Sequence, residues 1–276
     1  MFFYKNWESL CKYLQECGVH TCTAAESLSV EPAQRFVVLK HDVEGCVAKA
    51  HKLAQIERDC GIKGSYYVQG YLMGDAKNVA LLREMQSWGH EISYHYDVLD
   101  ACGGDYEAAM RQFALYLTKF NDEGFVFTTI CQHGNPVKKR VGYTSNRDFF
   151  RKAEIKARFS HLVDMVVDYS QHIKQDYRYI SDAGYCWNII TEPETSDLHP
   201  DVKNLRIGSF DNLKKEIDKG VSLVISTHPH RWESSAVRIY ARIYFFKVVR
   251  AVVRVLRNVP GVETLLNKFY FLAKKI

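Results

Sequence analysis

Histidines and carboxylates recur at the ends of apolar runs in this chain of 276 residues. Asp42 and Glu44 end FVVLKHDVE, Gln69 ends GSYYVQ, and His95 and Asp97 end HEISYHYD. His133 ends FVFTTICQH, Asp182 ends YISD and His228 ends VSLVISTH. One such residue is ordinary loop chemistry, but six successive runs ending this way line functional groups along one edge. In extended chain, side chains two apart share a face, so Asp42 and Glu44 point together. His95 and Asp97 do likewise, on the face of Glu91 and Ser93, whereas His41 and His90 alternate out of step and pack outward. Imidazole and carboxylate groups meeting in one cavity suit a divalent ion with N/O ligands, or acid–base work by groups of separated pKa.

The elements that position these groups are legible from periodicity. Apolar spacing predicts helices over 4–17, 46–60, 76–88, 104–120 and 212–219, and Gly18, Gly61 and Gly89 stop the first three. Strands are predicted over 36–43, 64–69, 90–97, 125–133, 179–182 and 221–228. Residues 147–178 read as mostly helical with short strand-like pieces, and 188–203 read as an acidic loop. Strands alternating with helices call for a parallel sheet with covering helices, whose sites form at the C-terminal strand ends.

The eight cysteines form no C-x-x-C pair, so they read as reduced, mostly buried thiols of a cytoplasmic protein. Polar residues interrupt the N-terminus by position 5, so neither a signal peptide nor a membrane span is expected. There is no G-x-S-x-G elbow, phosphate-binding loop or G-x-G-x-x-G. His90-Glu91 and His95 miss the H-E-x-x-H spacing by one residue and lie on strand-like sequence. The formal charge of +5 is unevenly spread: residues 234–276 hold nine Lys/Arg and one acid, a net of +8, which leaves −3 on the rest. From 238 to 257 the basic residues fill half a helical circumference, opposite Val237, Ile239, Phe245, Val248, Val252, Val255 and Leu256. Such a helix either packs on the body or a partner, or lies on an anionic membrane surface. A single basic stripe without a recognised motif gives no reason to expect a nucleic-acid partner.

Taken in order, KHDVE (40–44), GHEISYH (89–95), CQHGNP (131–136), SDAG (181–184) and STHP (226–229) resemble the polysaccharide deacetylase superfamily, carbohydrate esterase family 4 and its relatives. The resemblance covers about residues 35–233. It implies a distorted (β/α) barrel of about seven strands, flanked by an N-terminal helical segment (1–34) and a basic helical tail (234–276). It implies Asp42 as general base, His228 as general acid and Asp182 as the acid that orients catalytic partners. Glu44 and His95 match metal ligands, but the second metal histidine of the family falls at Leu99, a departure for which Asp97, Asp100 or His133 could compensate. Gln69, Asn135 and Trp232 read as substrate-facing.

The activity implied is hydrolysis of an N-acetyl group on a sugar or glycan intermediate in surface-polysaccharide assembly, with a divalent ion, Zn²⁺ by expectation, as cofactor. The tail adds a peripheral contact with the inner membrane face or a second copy. Leu99 also motivates an alternative: a sugar-binding member of the same fold without catalysis.

Overall fold

A computed structural model describes residues 2–135, 138–198 and 204–256, with backbone only at 250 and 252–256. The β-branched and aromatic runs form β1 (His20–Cys22), β2 (Phe36–Val43), β3 (Ser65–Gln69), β4 (Glu91–Tyr96), β5 (Thr129–Gln132), β6 (Val163–Asp164), β7 (Tyr177–Ser181), β8 (Trp187–Ile190), β9 (Leu205–Gly208) and β10 (Ser222–Thr227). The helices are α1 (Tyr4–Glu16), α2 (Ala24–Ser27), α3 (Val47–Asp59), α4 (Ala76–Ser87), α5 (Val98–Ala101), α6 (Tyr106–Asp122), α7 (Arg147–Arg151), α8 (Ala153–Arg158), α9 (Tyr169–His172), α10 (Phe210–Asp218) and α11 (Ala236–Leu256). Side-chain caps fix several starts: Thr23 and Glu26 form a capping box on α2, and Asp75, Asp105 and Ser209 cap α4, α6 and α10.

The strands pair in the order β6-β5-β4-β3-β2-β10-β7-β8-β9, with β1 on β2. From β6 to β7 every pairing is parallel, and β8 and β9 extend the sheet antiparallel. The parallel arc curls on itself. Phe36 and Val38 of β2, Tyr67 of β3, Cys131 of β5, Val163 of β6, Tyr179 of β7 and Val224 of β10 meet in one buried interior cluster. The arc stays open between β6 and β7 among the described residues, where the rings of Tyr169 and Tyr177, 5.3 Å apart, bridge the gap. The architecture is a distorted β/α barrel whose sheet is not closed.

Sequence and structure differ where local signals are short. β1 is three residues long and takes its order from pairing with β2. The strand expected over 125–133 shortens to β5, and 147–178 breaks into short helices around the two-residue β6. The acidic stretch expected as a loop begins instead with β8, which pairs β7 on one side and β9 on the other. His199 and Pro200 and everything after 256 lie outside the described residues. All eight cysteines are free: Cys11, Cys22, Cys60 and Cys131 are buried, Cys17 and Cys46 exposed.

α11 corrects the expected placement of Ile239. Expected opposite the basic residues, it lies about 60° from Arg242 on a helix of 3.6 residues per turn, and it is fully buried in a core with Trp7, Leu213 and Trp232, with Ile243 packed against it. The helix therefore docks by the side that carries Arg242, whose guanidinium reaches Glu233 at 3.1 Å and the His230 carbonyl at 2.6 Å. No helix among the described residues is long and apolar enough to cross a membrane.

Candidate active site

Strand parity delivers the site. Along β2, Phe36, Val38, Lys40 and Asp42 face the barrel interior, and Glu44 continues that face just beyond the strand end. Register then sets neighbours: Asp42 lies beside Tyr67, Gln69 beside His95, and His95 beside Cys131. At the C-terminal rim Glu44 stands between two imidazoles. His95 Nε2 is 3.7 Å and His133 Nε2 3.2 Å from Glu44 Oε1. Across the opening, His228 Nε2 lies 3.8 Å from the same oxygen and 4.0 Å from Asp42 Oδ2.

The donor set fits a divalent ion. His95 Nδ1 is 3.1 Å from the Cys131 carbonyl, so it carries the proton and leaves Nε2 as the lone-pair nitrogen. That nitrogen is buried without a hydrogen-bond partner and faces Glu44. One donor atom each from Glu44, His95 and His133 lies within 4.8 Å of the others. A tetrahedral ion with bonds of 2.0–2.1 Å separates its ligands by about 3.4 Å, close to the 3.2 and 3.7 Å found here. Asp42, His95 and Cys131 form a second close group. There, burial keeps the Cys131 thiol protonated, its pKa well above the usual value, and Lys40 already engages Asp42.

Asp42 and His228 are held for different work. Burial favours the protonated Asp42 carboxyl, but Lys40, then His95 and His228, outweigh it and bring the pKa down to about 2. The Lys40 ammonium is fully buried in the barrel, bonded to Asp42 and 3.4 Å from Ser226 Oγ. A cation there is costly without its carboxylate, so the pair fixes Asp42 as an anion with Oδ2 turned to the opening. His228 Nδ1 is 2.5 Å from Asp182 Oδ1, and Asp182 Oδ2 accepts the His228 backbone N–H at 3.1 Å. Arg231 donates to both the Asp182 carboxylate and its carbonyl at 2.7 Å, which holds Asp182 in place to fix the ring that presents Nε2 to the opening.

His133 sits on a clamped loop. Its N–H donates to the Tyr96 carbonyl at 2.7 Å, and its own carbonyl accepts from Asn146 Nδ2 at 2.8 Å. Asn146 is fully buried and also bonds Asp100 through both amide atoms. Arg140 grips the Asp100 carboxylate with two bonds of 2.8 Å and reaches the Asn135 carbonyl at 3.0 Å. Leu99 is fully buried in the outer core, while its neighbour Asp100 anchors the loop that carries His133.

Of the residues singled out in the sequence, Asp42, Glu44, His95, His133, Asp182 and His228 come together, and Gln69 is buried beside His95. Asn135 is half-buried on the clamped loop. Asp97 does not join them. Its backbone turns out of the extended region (φ −136°, ψ 27°) to start α5, and its charge falls near Tyr94, Tyr116 and Cys102 on the outer side. Trp232 is also elsewhere, fully buried against Trp7 at 5.0 Å and Phe2 at 5.4 Å in the outer aromatic core. Lys40, Arg231 and Asn146 were not singled out. Lys40 had a signal, since a cation two before Asp42 in an apolar strand must face the same way. Arg231 and Asn146 had none.

No protein-family model matches the chain, and no curated protein matches it. Among solved structures the chain is similar to a family 4 carbohydrate esterase from Streptomyces lividans in complex with acetate, at 14% identity over 78% of this chain and 89% of that one, TM-score 0.44. It is also similar to the peptidoglycan deacetylase PdaC from Bacillus subtilis, at 13% identity over 83% of this chain and 100% of that one, TM-score 0.38. A mutant of PdaC gives 12% identity over the same shares and a TM-score of 0.40.

Proposed function

We propose that the protein is a metal-dependent N-deacetylase acting on an acetamido sugar or glycan intermediate, at work in the cytoplasm in surface-polysaccharide assembly. One observation carries the reading: the buried, unpartnered His95 Nε2 faces Glu44 with His133 on the other side, while Asp42 and His228 look across the same opening. Glu44, His95 and His133 would hold the ion, which when bound supplies Lewis-acid polarisation of an acetamide carbonyl and of water. Asp42, held anionic by Lys40, takes the proton of the attacking water through Oδ2. His228 Nε2 delivers a proton to the leaving nitrogen, without which the C–N bond breaks poorly. Asp182, itself held by Arg231, keeps that imidazole in place. The products are acetate and a free amine.

Leu99 was the reason to consider a sugar-binding protein without catalysis, and His133, a further donor 3.2 Å from Glu44, supports the catalytic reading over it. The test is acetate release from a panel of acetamido sugars, nucleotide-linked sugars and simple acetylated amines, with and without added Zn²⁺. Release from the sugars, lost on chelation and restored by Zn²⁺, is the expected result. No release from any sugar with the metal bound would refute the reading.

A further inference from the structure

α11 has a second apolar side that the fold does not use. Its docked side carries Ile239, Arg242, Ile243 and Phe246. At 100° per residue the opposite side collects Val237, Tyr240, Tyr244 and Val248, with Phe245 alongside. These are 79%, 56%, 71%, 42% and 40% exposed, in that order. Arg238 and Lys247 flank the stripe on either side, and both are exposed. Six Lys/Arg occur between 238 and 257, with no acid between Glu233 and Glu263.

We propose that this stripe lies on an anionic lipid surface and holds the site near it. The proposal deepens the deacetylase reading and rests on it for the substrate: an acetylated sugar carried at a membrane. Tyr and Phe rings suit the boundary between headgroup and acyl chain, and flanking Arg and Lys reach lipid phosphates while their stems stay apolar. The charge selects this occupant, because a two-fold contact through the stripe would set two basic helices against each other. The docked side of the same helix lies beside the chemistry. Phe246 packs on Tyr185 at 5.3 Å, Arg231 lies over Tyr185 at 5.5 Å, and Arg231 bonds Asp182, the partner of His228.

The full chain should co-sediment with phosphatidylcholine vesicles containing one-quarter phosphatidylglycerol and not with phosphatidylcholine alone, and binding should weaken in high salt. The variant Tyr240→Asp/Tyr244→Asp should lose about tenfold or more of that binding, keep the wild-type circular dichroism spectrum, and release acetate from a soluble acetamido sugar at the wild-type rate. Equal binding to both vesicle types, or unchanged binding by the variant, would overturn the proposal. So would a dimer in light scattering that the variant abolishes while neither protein binds vesicles, which would make the stripe a contact between copies. Vesicle binding and acetate release are read separately, so failure of the membrane contact and failure of the deacetylase reading are distinguishable.

Discussion

Two histidine–carboxylate clusters lie on opposite faces of the same strands, and they differ in how closely their groups meet. Behind β2, Glu57 of α3 is fully buried and accepts from Trp7 Nε1 at 2.9 Å and from Tyr66 OH at 2.8 Å, with His41 Nε2 at 2.8 Å. His41 Nδ1 meets Thr227 Oγ1 at 2.7 Å, and His90 bonds the Ala54 carbonyl and the Gly64 N–H. Across the strand, one residue along the chain, Asp42, Glu44, His95 and His228 face one another at 3.7 to 4.0 Å, and His95 Nε2 has no partner. Behind the strands the groups meet at 2.7 to 3.0 Å, as in a packed core, whereas gaps of 3.7 to 4.0 Å between buried groups leave room for something to enter. Residue type does not distinguish the clusters; spacing does.

Substitutions should separate the two most strongly. His228→Ala should cut turnover about 10³-fold or more with a melting temperature near wild type, and Asp42→Asn should cut it as much while also losing stability, because it strands the buried Lys40 ammonium. Glu57→Ala should do the reverse of His228→Ala: about 3–5 kcal/mol of stability lost by stranding buried partners, with turnover per folded molecule retained. Thermal melts and active-site-normalised kinetics check both, and a melting loss for His228→Ala equal to that of Glu57→Ala would erase the distinction.

Next in size are effects on the ion. His133→Ala and His95→Ala should each remove most Zn²⁺ binding in a chelator competition. Asn146→Ala should weaken it about 10–100-fold by loosening the loop that presents His133, although Asn146 touches no ion. An unchanged affinity would show that the clamp serves folding alone.

The smallest effect is on pH. Burial works to raise the Glu57 pKa, but His41, His90 and Tyr66 outweigh it and hold the carboxyl below its usual range. The unfolded chain then takes up the proton first, so this contribution is complete above about pH 5 and is lost as pH falls through the folded value. Wild-type melting temperature should therefore drop from pH 6 to pH 4 more steeply than that of Glu57→Gln. Parallel slopes would place the pH sensitivity elsewhere.

Much of this contrast was readable beforehand, because period-two alternation assigns faces: Asp42 and Glu91 inward, His41 and His90 outward. That rule holds only while the chain stays extended. It failed at Asp97, where the backbone bends into α5, and it gave nothing at Trp232, whose place is set by packing against α1. The Asn146–Asp100–Arg140 clamp joins residues about 40 positions apart through bonds with no local period. β1 and β8 are too short to show alternation and take their form from neighbours. α11 misled because Ile239, grouped by its apolarity with the far side, falls about 60° from Arg242 on the side that docks.

The central claim is that His133 supplies the donor absent at Leu99. A crystal soaked in Zn²⁺, with anomalous diffraction at the zinc edge, tests it most directly. The account predicts one strong peak bonded to Glu44, His95 and His133, between Asp42 and His228. A peak on Asp42, His95 and Cys131 instead, or none in this opening, would contradict it.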